Sequence, residues 1–367
     1  MVFYVINANR INIALVCLIV ICVLSCGNKA ESRSENTDAP IRLKQITSWE
    51  INAPEIIPHP YQAGVLDDGS LILIDWSLNT INHFDQNGRL IRILGGAGHG
   101  PGEYGRMTHV AVHPDGRVAV ADLKNVQITI QNVYDTGLAF VRLDAGWHTR
   151  LSWVSSGLII TNSPFRIGGT SPGDILMRIY NPDTEIKKQF MHLQLALEDP
   201  PPDQISCTFC DFRFQDDLSF FTSPQDTSYR IYKVDPTTGD TILFSRSGVP
   251  AIALTEAERE EWQNQKRQMM PFPELSMEGE LKPPEYKERF RFYFPDHKGR
   301  LWALMNVPEG RPLHFDVFSG DGVYLGSVNV PEEVKSVPFV SGDQILFRHH
   351  SDDPDLWKGG LYRIIDE

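Results

Sequence analysis

Six times along the chain, a turn rich in Asp and Gly is followed by a short apolar strand. The stretches are LDDGSLILID (66–75), HPDGRVAVAD (113–122), VSSGLIITN (154–162), FQDDLSFFTS (214–223), PDHKGRLWALM (295–305) and VSGDQILFRHH (340–350). Glycine takes left-handed backbone angles freely and aspartate bonds to its own following backbone, so each stretch reads as a tight hairpin turn entering a strand. After five of them comes a second hairpin with a polar turn: INHFDQNGRLIRIL, ITIQNVYDTGLAFVRL, MRIYNPDTEIKKQF, YRIYKVDPTTGDTILF and FDVFSGDGVYLGSV. Each unit is therefore expected to hold four short antiparallel strands.

Units of about 40–47 residues with four strands each have the form of β-propeller blades. The predicted fold is all-β: a six-bladed β-propeller spanning residues 41–367. The last unit, from about Val337, ends in GLYRIIDE, which supplies a third strand and leaves no residues for a fourth. The segment IRLKQITSWEI (41–51) precedes the first full unit and is a spare strand of the right length. It is expected to pair beside residues 360–367 and close the ring.

Two insertions interrupt the blade spacing. LALEDPPPDQIS (195–206) holds three consecutive prolines and is expected to be loop or extended chain. The second covers about 248–289. Within it, LTEAEREEWQNQKRQMM starts at an N-cap candidate, Thr255, with Glu258 three residues later as the partner of a capping box, and predicts a helix. That helix either roofs the central channel or is a solvated surface excursion.

The N-terminus carries an address. After Arg10, residues 11–26 form an uncharged apolar run that ends in VLSC. About 16 residues is short of the roughly 20 that a spanning helix needs but suits the apolar region of a signal peptide. Val23-Leu24-Ser25-Cys26 resembles the lipobox of bacterial lipoproteins. The expected organisation is a signal peptide over 1–25, lipidation at Cys26, a tether over 26–40 and then the propeller. A diacylated cysteine meets the need for more than one chain in stable anchoring. Gly27 is not the aspartate that favours inner-membrane retention in enteric bacteria, which points to the outer membrane, on its periplasmic or surface face.

Composition narrows the partners. At 41% hydrophobic and 22% charged, the 367 residues can bury a large core. Removing residues 1–25 takes away one charge, Arg10, and leaves 33 basic against 47 acidic residues, a net charge of −14. Such a chain lacks the concentrated basic surface that nucleic acid requires. Cys207 and Cys210, in ISCTFCDFRF, stand without a second CxxC, and are read as two ordinary strand residues or a locally turned disulfide.

Gly100, Gly102 and Gly105 in GGAGHGPGEYGRM (95–107) match the spacing of a dinucleotide fingerprint. A fingerprint needs a helix after the glycines, whereas RMTHVAVHPDGRVAVAD alternates as a strand and turns at Asp115-Gly116. The loop is expected to carry the chain from blade one to blade two. Together, GGAGHGPGEYGRMTHVAVHPDGRVAVADLKNVQITI resembles an NHL-type repeat: a Gly-Pro-Gly-Glu-aromatic loop, an alternating strand, an Asp-Gly turn and a strand ending in Ala-Asp. The chain from Cys26 on is similar to six-bladed propeller lipoproteins of Bacteroidetes and related bacteria, most sharply over 61–145 and 290–330. Few members of that group have an assigned activity. The resemblance also brings in NHL-like amidating lyases, which hold a metal in the channel.

The candidate ligand-binding residues are Glu103, Tyr104 and Arg106, expected at one mouth of the channel; Asp75 with Trp76 and Asp122, expected to end the inner strands of blades one and two; His109; and His350, expected to end the inner strand of blade six. Asp75 and Asp122 more readily accept backbone N–H bonds in the turns that follow them. No H-x-H, H-E-x-x-H or Walker spacing occurs. The favoured expectation is a monomeric, non-enzymatic binding or scaffold lipoprotein for an envelope protein, peptide or glycan, with no cofactor. The alternative is a metal-dependent lyase or lactonase with zinc or calcium in the channel, the acidic run DDPD (352–355) being a possible calcium lure.

Overall fold

The computed structural model describes residues 4–5, 41–57, 60–142, 148–163, 173–181, 186–195, 212–223, 228–269, 283–308, 310–331, 334, 338–353 and 355–366. Cys26, Cys207, Cys210 and most of the proline-rich insertion lie outside them. Two strands, β1 (Tyr4–Val5) and β2 (Ile41–Asn52), precede the first full blade. Blade one is β3 (Pro60–Val65), β4 (Leu71–Asp75), β5 (Thr80–Phe84) and β6 (Leu90–Gly95). Blade two is β7 (Met107–Val112), β8 (Arg117–Asp122), β9 (Gln127–Asn132) and β10 (Leu138–Arg142). Blade three is β11 (His148–Val154), β12 (Gly157–Ser163), β13 (Gly173–Asn181) and β14 (Ile186–Leu195), with β1 added at its outer edge. Blade four is β15 (Arg213–Phe214), β16 (Phe220–Thr222), β17 (Ile231–Val234) and β18 (Thr241–Phe244), followed by the helix α1 (Glu256–Met269). Blade five is β19 (Phe290–Pro295), β20 (Leu301–Met305), β21 (His314–Phe318) and β22 (Tyr324–Asn329). Blade six is β23 (Phe339–Ser341), β24 (Gln344–Arg348) and β25 (Leu356–Asp366), completed by β2. The molecule is a six-bladed propeller of four-stranded antiparallel sheets.

The ring closes as the strand count requires. β2 pairs antiparallel with β25 from Ile41 opposite Asp366 to Asn52 opposite Leu356. Lys298 and Arg300, on the first hairpin of blade five, both bond the Asp366 carboxylate at the end of β25. Inner strands then touch around the hub: β3 meets β7, β7 meets β11, β11 meets β15, β15 meets β19 and β23 meets β3.

Burial grades outward along each blade. Every residue of β4 and of β20 is buried, as is all but the first of β8, because second strands are covered on both faces and flanked on both edges. The outermost strand β6 alternates half-buried and exposed residues. The cores lie between blades rather than at the hub. Tyr104, Met107, Val110 and Val118 pack with Ile72, Ile74 and Ile81 between blades one and two, and Phe294, Trp302 and Phe315 pack with Ile345 and Phe347 between blades five and six.

This grading corrects one expectation. The strands after the Asp-Gly turns are second from the axis, and the innermost strand of each blade is the one before the turn. Asp75, Asp122 and the residues leading to His350 therefore sit one strand out from the channel. The long apolar runs that drew attention to these strands come from burial on two sides, which the second position supplies.

Left-handed turn positions follow the Asp-Gly pattern. Gly69 (φ 79°), Gly116 (φ 97°) and Gly299 (φ 75°) each precede the residue that closes the turn, as Ser70, Arg117 and Arg300 bond back to Leu66, His113 and Asp296. In blade four, Leu218 fills the same place with φ 66°, a conformation that costs a side chain with a Cβ.

Candidate functional site

Strand directions sort the connections onto two faces. Within each blade, successive strands run up and down, so the turns joining first to second and third to fourth strands lie on one face. The turns joining second to third strands lie on the other, with every crossing from one blade to the next. The second face thus carries the crossing from Gly95 to Arg106, the turns after Asp75 and Asp122, the turn that follows His349, and the chain that leads from β18 toward α1. β2 enters at Ile41 on the opposite face, beside the end of β25.

The blade-to-blade crossing is a compact bonded loop. Tyr104 N–H donates to Gly96 O (2.8 Å), Gly98 N–H to Tyr104 O (3.1 Å), and Gly100 N–H to Glu103 Oε2 (2.9 Å). Gly95 has φ 89°, and a Cβ there would meet Asn79 O and the Tyr104 ring at 2.7 Å. Tyr104 does not line a mouth of the channel: it is fully buried between blades one and two, and its hydroxyl accepts from Gln131 Nε2 at 2.7 Å. Burial, with Asp122 nearby, pushes its hydroxyl pKa far above the ordinary value. Glu103 and Arg106 remain exposed on the face.

The two aspartates act as turn anchors. Asp122 is fully buried; its Oδ1 accepts from the N–H groups of Arg106 (2.9 Å), Lys124 (3.0 Å) and Asn125 (3.2 Å), and its Oδ2 from Gly105 N–H (2.7 Å) and Asn125 Nδ2 (2.7 Å). Asp75, also fully buried, accepts from Ser77 N–H and Oγ and from Leu78 N–H. Trp76 is half-buried against the core between blades one and two. His350 is exposed and pairs with Asp352 at 3.1 Å, two blades around the ring from Asp122. The expected residues thus share one face without converging on one point.

α1 begins as its sequence dictates. Thr255 N–H donates to Glu258 Oε2 (3.0 Å), Glu258 N–H donates to Thr255 Oγ1 (3.3 Å), and Lys287 bonds Glu258 from the returning chain. The helix base is fastened by a short antiparallel contact, with Leu254 N–H donating to Glu285 O and Lys287 N–H to Ile252 O.

The channel itself has a lining that sequence reasoning found only in part. Leu71, Val118, Leu158 and Leu301 are the first fully buried hydrophobic residues of four second strands, and three residues further on stand Ile74, Ala121, Thr161 and Leu304. These pair with Gln62, His109, Arg150 and Phe292, which therefore occupy one level on the inner strands of blades one, two, three and five. Gln62 Nε2 donates to Val110 O (2.6 Å) and Leu151 N–H donates to His109 Nδ1 (3.3 Å), so these side chains reach the inner strand of the next blade. In blade four, Arg213 pairs with Phe221, two residues lower, and its guanidinium lies 4.3 Å from the centre of the Phe292 ring. Only the register reveals this level, because inner-strand bulges shift the spacing in blades one, two and five.

His109 is the one expected residue on an inner strand. Burial, then the charges of Arg150 and Arg213, push its pKa down to about 3. Its Nδ1 accepts a backbone N–H, so the neutral ring carries its proton on Nε2. A zinc or calcium ion fits this arrangement poorly: the outward nitrogen offers a proton rather than a lone pair, and two guanidinium groups repel the cation. Among the described residues, no three His, Cys, Asp or Glu side chains gather as a ligand set. Among the same residues, no helix is long and apolar enough to cross a membrane.

A search of curated proteins finds no match. Residues 59–141 match the DUF5128 family model, described as a 6-bladed beta-propeller. Among solved structures, a member of the DUF4221 family from Bacteroides vulgatus aligns with a TM-score of 0.54 and 12% identity, covering 89% of this chain and 99% of its own. A Bacteroides fragilis protein inferred to be exported aligns with a TM-score of 0.50 and 12% identity, over 91% and 97% of the two chains. At that identity the likeness speaks for the fold alone. With six blades in the ring and the family match over its first two, the chain is a six-bladed β-propeller protein akin to the DUF5128 family.

Proposed function

We infer that this propeller is an exported lipoprotein, held at the outer membrane through Cys26, that binds a protein, peptide or glycan partner in the cell envelope. One observation carries the reading: the blade-to-blade crossing from Gly95 to Arg106 and the turns after Asp75 and Asp122 open on one face, while β2 enters at Ile41 on the other. A lipid at Cys26 joined by the tether 26–40 would hold the disc by the face opposite its loops. Glu103, Trp76, Arg106 and His350 then stand on the outward face, where a partner can reach them. Asp75, Asp122 and Tyr104 support that face from beneath by fixing its turns. The likeness to a Bacteroides protein inferred to be exported agrees with this address.

Cys26→Ala in the full chain tests the anchor: the protein is expected to lose acyl label and leave the membrane fraction, and retention in that fraction would overturn the lipoprotein reading. Partner binding is tested by purification from native membranes. A partner recovered with the wild-type chain is expected to be lost with Arg106→Glu and kept with Asp321→Lys, on the opposite face. Equal recovery with both variants would contradict the choice of face.

A further inference from the structure

We propose that a pocket on the outer half of blade two takes the C-terminal end of a peptide whose last residue is apolar. Asn125, Val126, Gln127, Phe140 and Arg142 line a cavity of about 420 Å³, within the roughly 300–1,000 Å³ of ordinary ligand pockets. Register explains why these side chains meet. Gln127 lies directly opposite Arg142 and Thr129 opposite Phe140, so all four project from one face of the β9–β10 pair. The alternate residues Ile128, Ile130 and Val141 point the other way and are buried between blades two and three. Asn125 is fixed at the edge of the pocket: its Nδ2 donates to Asp122 Oδ2 (2.7 Å) and its Oδ1 accepts from His99 Nδ1 (2.5 Å).

The backbone at this place is strained in a way that folding alone does not require. Asp75 to Thr80 and Asp122 to Gln127 are equivalent turns, and the residue before closure is left-handed in both: Asn79 at φ 54° and Val126 at φ 53°. Asparagine tolerates that conformation, whereas a β-branched residue is strained in it. Val126 is nevertheless 50% exposed and Phe140 49%, so the strained side chain gains no place in the core. At the register of Arg142 and Phe140, blade one carries Gly95 and Ile93, and a Cβ on Gly95 would meet the Tyr104 ring at 2.7 Å. The crossing loop thus fills in blade one the space that blade two leaves as a pocket.

The chemistry of the pocket selects one kind of chain end. Val126 and Phe140 offer an apolar surface. Arg142 is exposed and, among the described residues, no acceptor engages its guanidinium, whose paired donors match the two oxygens of a terminal carboxylate. Gln127 Nε2 faces Thr129 Oγ1 (3.5 Å), which leaves Gln127 Oε1 to accept the amide N–H of the last residue. Carboxylate, apolar side chain and amide N–H stand together at the C-terminus of a peptide. The pocket adjoins the turn after Asp122 on the crossing face, so the inference rests on the partner reading and names the chemistry that this face recognises.

The test is calorimetric titration of the full chain, purified in detergent, with the peptide acetyl-Gly-Gly-Phe. Saturable binding at one site per chain is expected, and the same peptide with an amidated C-terminus should bind about tenfold more weakly or worse. Arg142→Gln and Phe140→Ala should each weaken the acid about tenfold, and Arg89→Gln, on a far-face turn, should leave it unchanged. Val126→Asn separates binding from folding: it brings in the residue type that blade one uses at this φ, and should raise the thermal midpoint while weakening the peptide. The proposal is overturned if the peptide fails to bind at millimolar concentrations, if its amide binds as tightly, or if binding survives the double Arg142→Gln/Phe140→Ala variant. It is overturned equally if Val126→Asn binds as tightly as the wild type, or if hydrocinnamate, which has no amide N–H, matches the peptide. Any of these results leaves the recovery of a partner from native membranes, and its loss with Arg106→Glu, to be judged separately.

Discussion

Asp122 shows how one side chain fixes a functional face. It accepts from four backbone N–H groups, two in the loop from blade one and two in its own turn. Asp122→Ala should strand several of these donors and lower stability by about 2–4 kcal/mol, measured as a shift in the urea midpoint. Leu218 makes the opposite case, since its left-handed φ is where blades one, two and five use glycine. Leu218→Gly should raise stability by up to about 1 kcal/mol, and a loss would show that its side chain contributes more than its backbone costs. For His109, the folded pKa of about 3 lies below the ordinary value near 6.5, so the unfolded chain binds the extra proton. Its contribution is complete above about pH 6.5 and shrinks by about 1.4 kcal/mol per unit as the pH falls toward 3. Between pH 7 and pH 5, the wild type should therefore lose about 1–2 kcal/mol more than His109→Gln, the residue type that Gln62 provides at this level of blade one. At this scale the sequence was legible where backbone geometry selects the residue, as at the Asp-Gly turns. It was opaque for Tyr104, because an aromatic in a glycine loop reads alike whether its ring points to solvent or between blades.

Among the elements, β2 joins the two ends of the disc. Its Trp49 is 3% exposed and packs in the core between blades six and one with Ile51, Leu71 and Trp357. Trp49→Ala should cost about 3–5 kcal/mol, and hydrogen exchange should then rise first along β2 and β25. Thr255→Ala removes one half of a capping box and should cost about 1 kcal/mol, seen as faster exchange in the first turn of α1 with the blades unchanged. Ring closure was legible because the last unit ran out of residues one strand short. Which strand faces the channel was not, because the completely apolar strands owe their composition to cover on both faces, and the hub-facing strands are bulged and mixed.

At the scale of the whole molecule, alternating strand direction does the sorting. It gives one face the crossing from Gly95 to Arg106 and the chain toward α1, and gives the other face the entry of β2. The most direct test of the account is face-resolved photo-crosslinking in intact cells. A benzophenone amino acid would be placed in turn at Glu103, Arg106 and His350 on the crossing face, and at Asn87 and Asp321 on the face where β2 enters. The account predicts one discrete crosslinked partner shared by crossing-face positions and missing from the other two. The same crosslink from Asn87 and Asp321, with none from the crossing face, would contradict it.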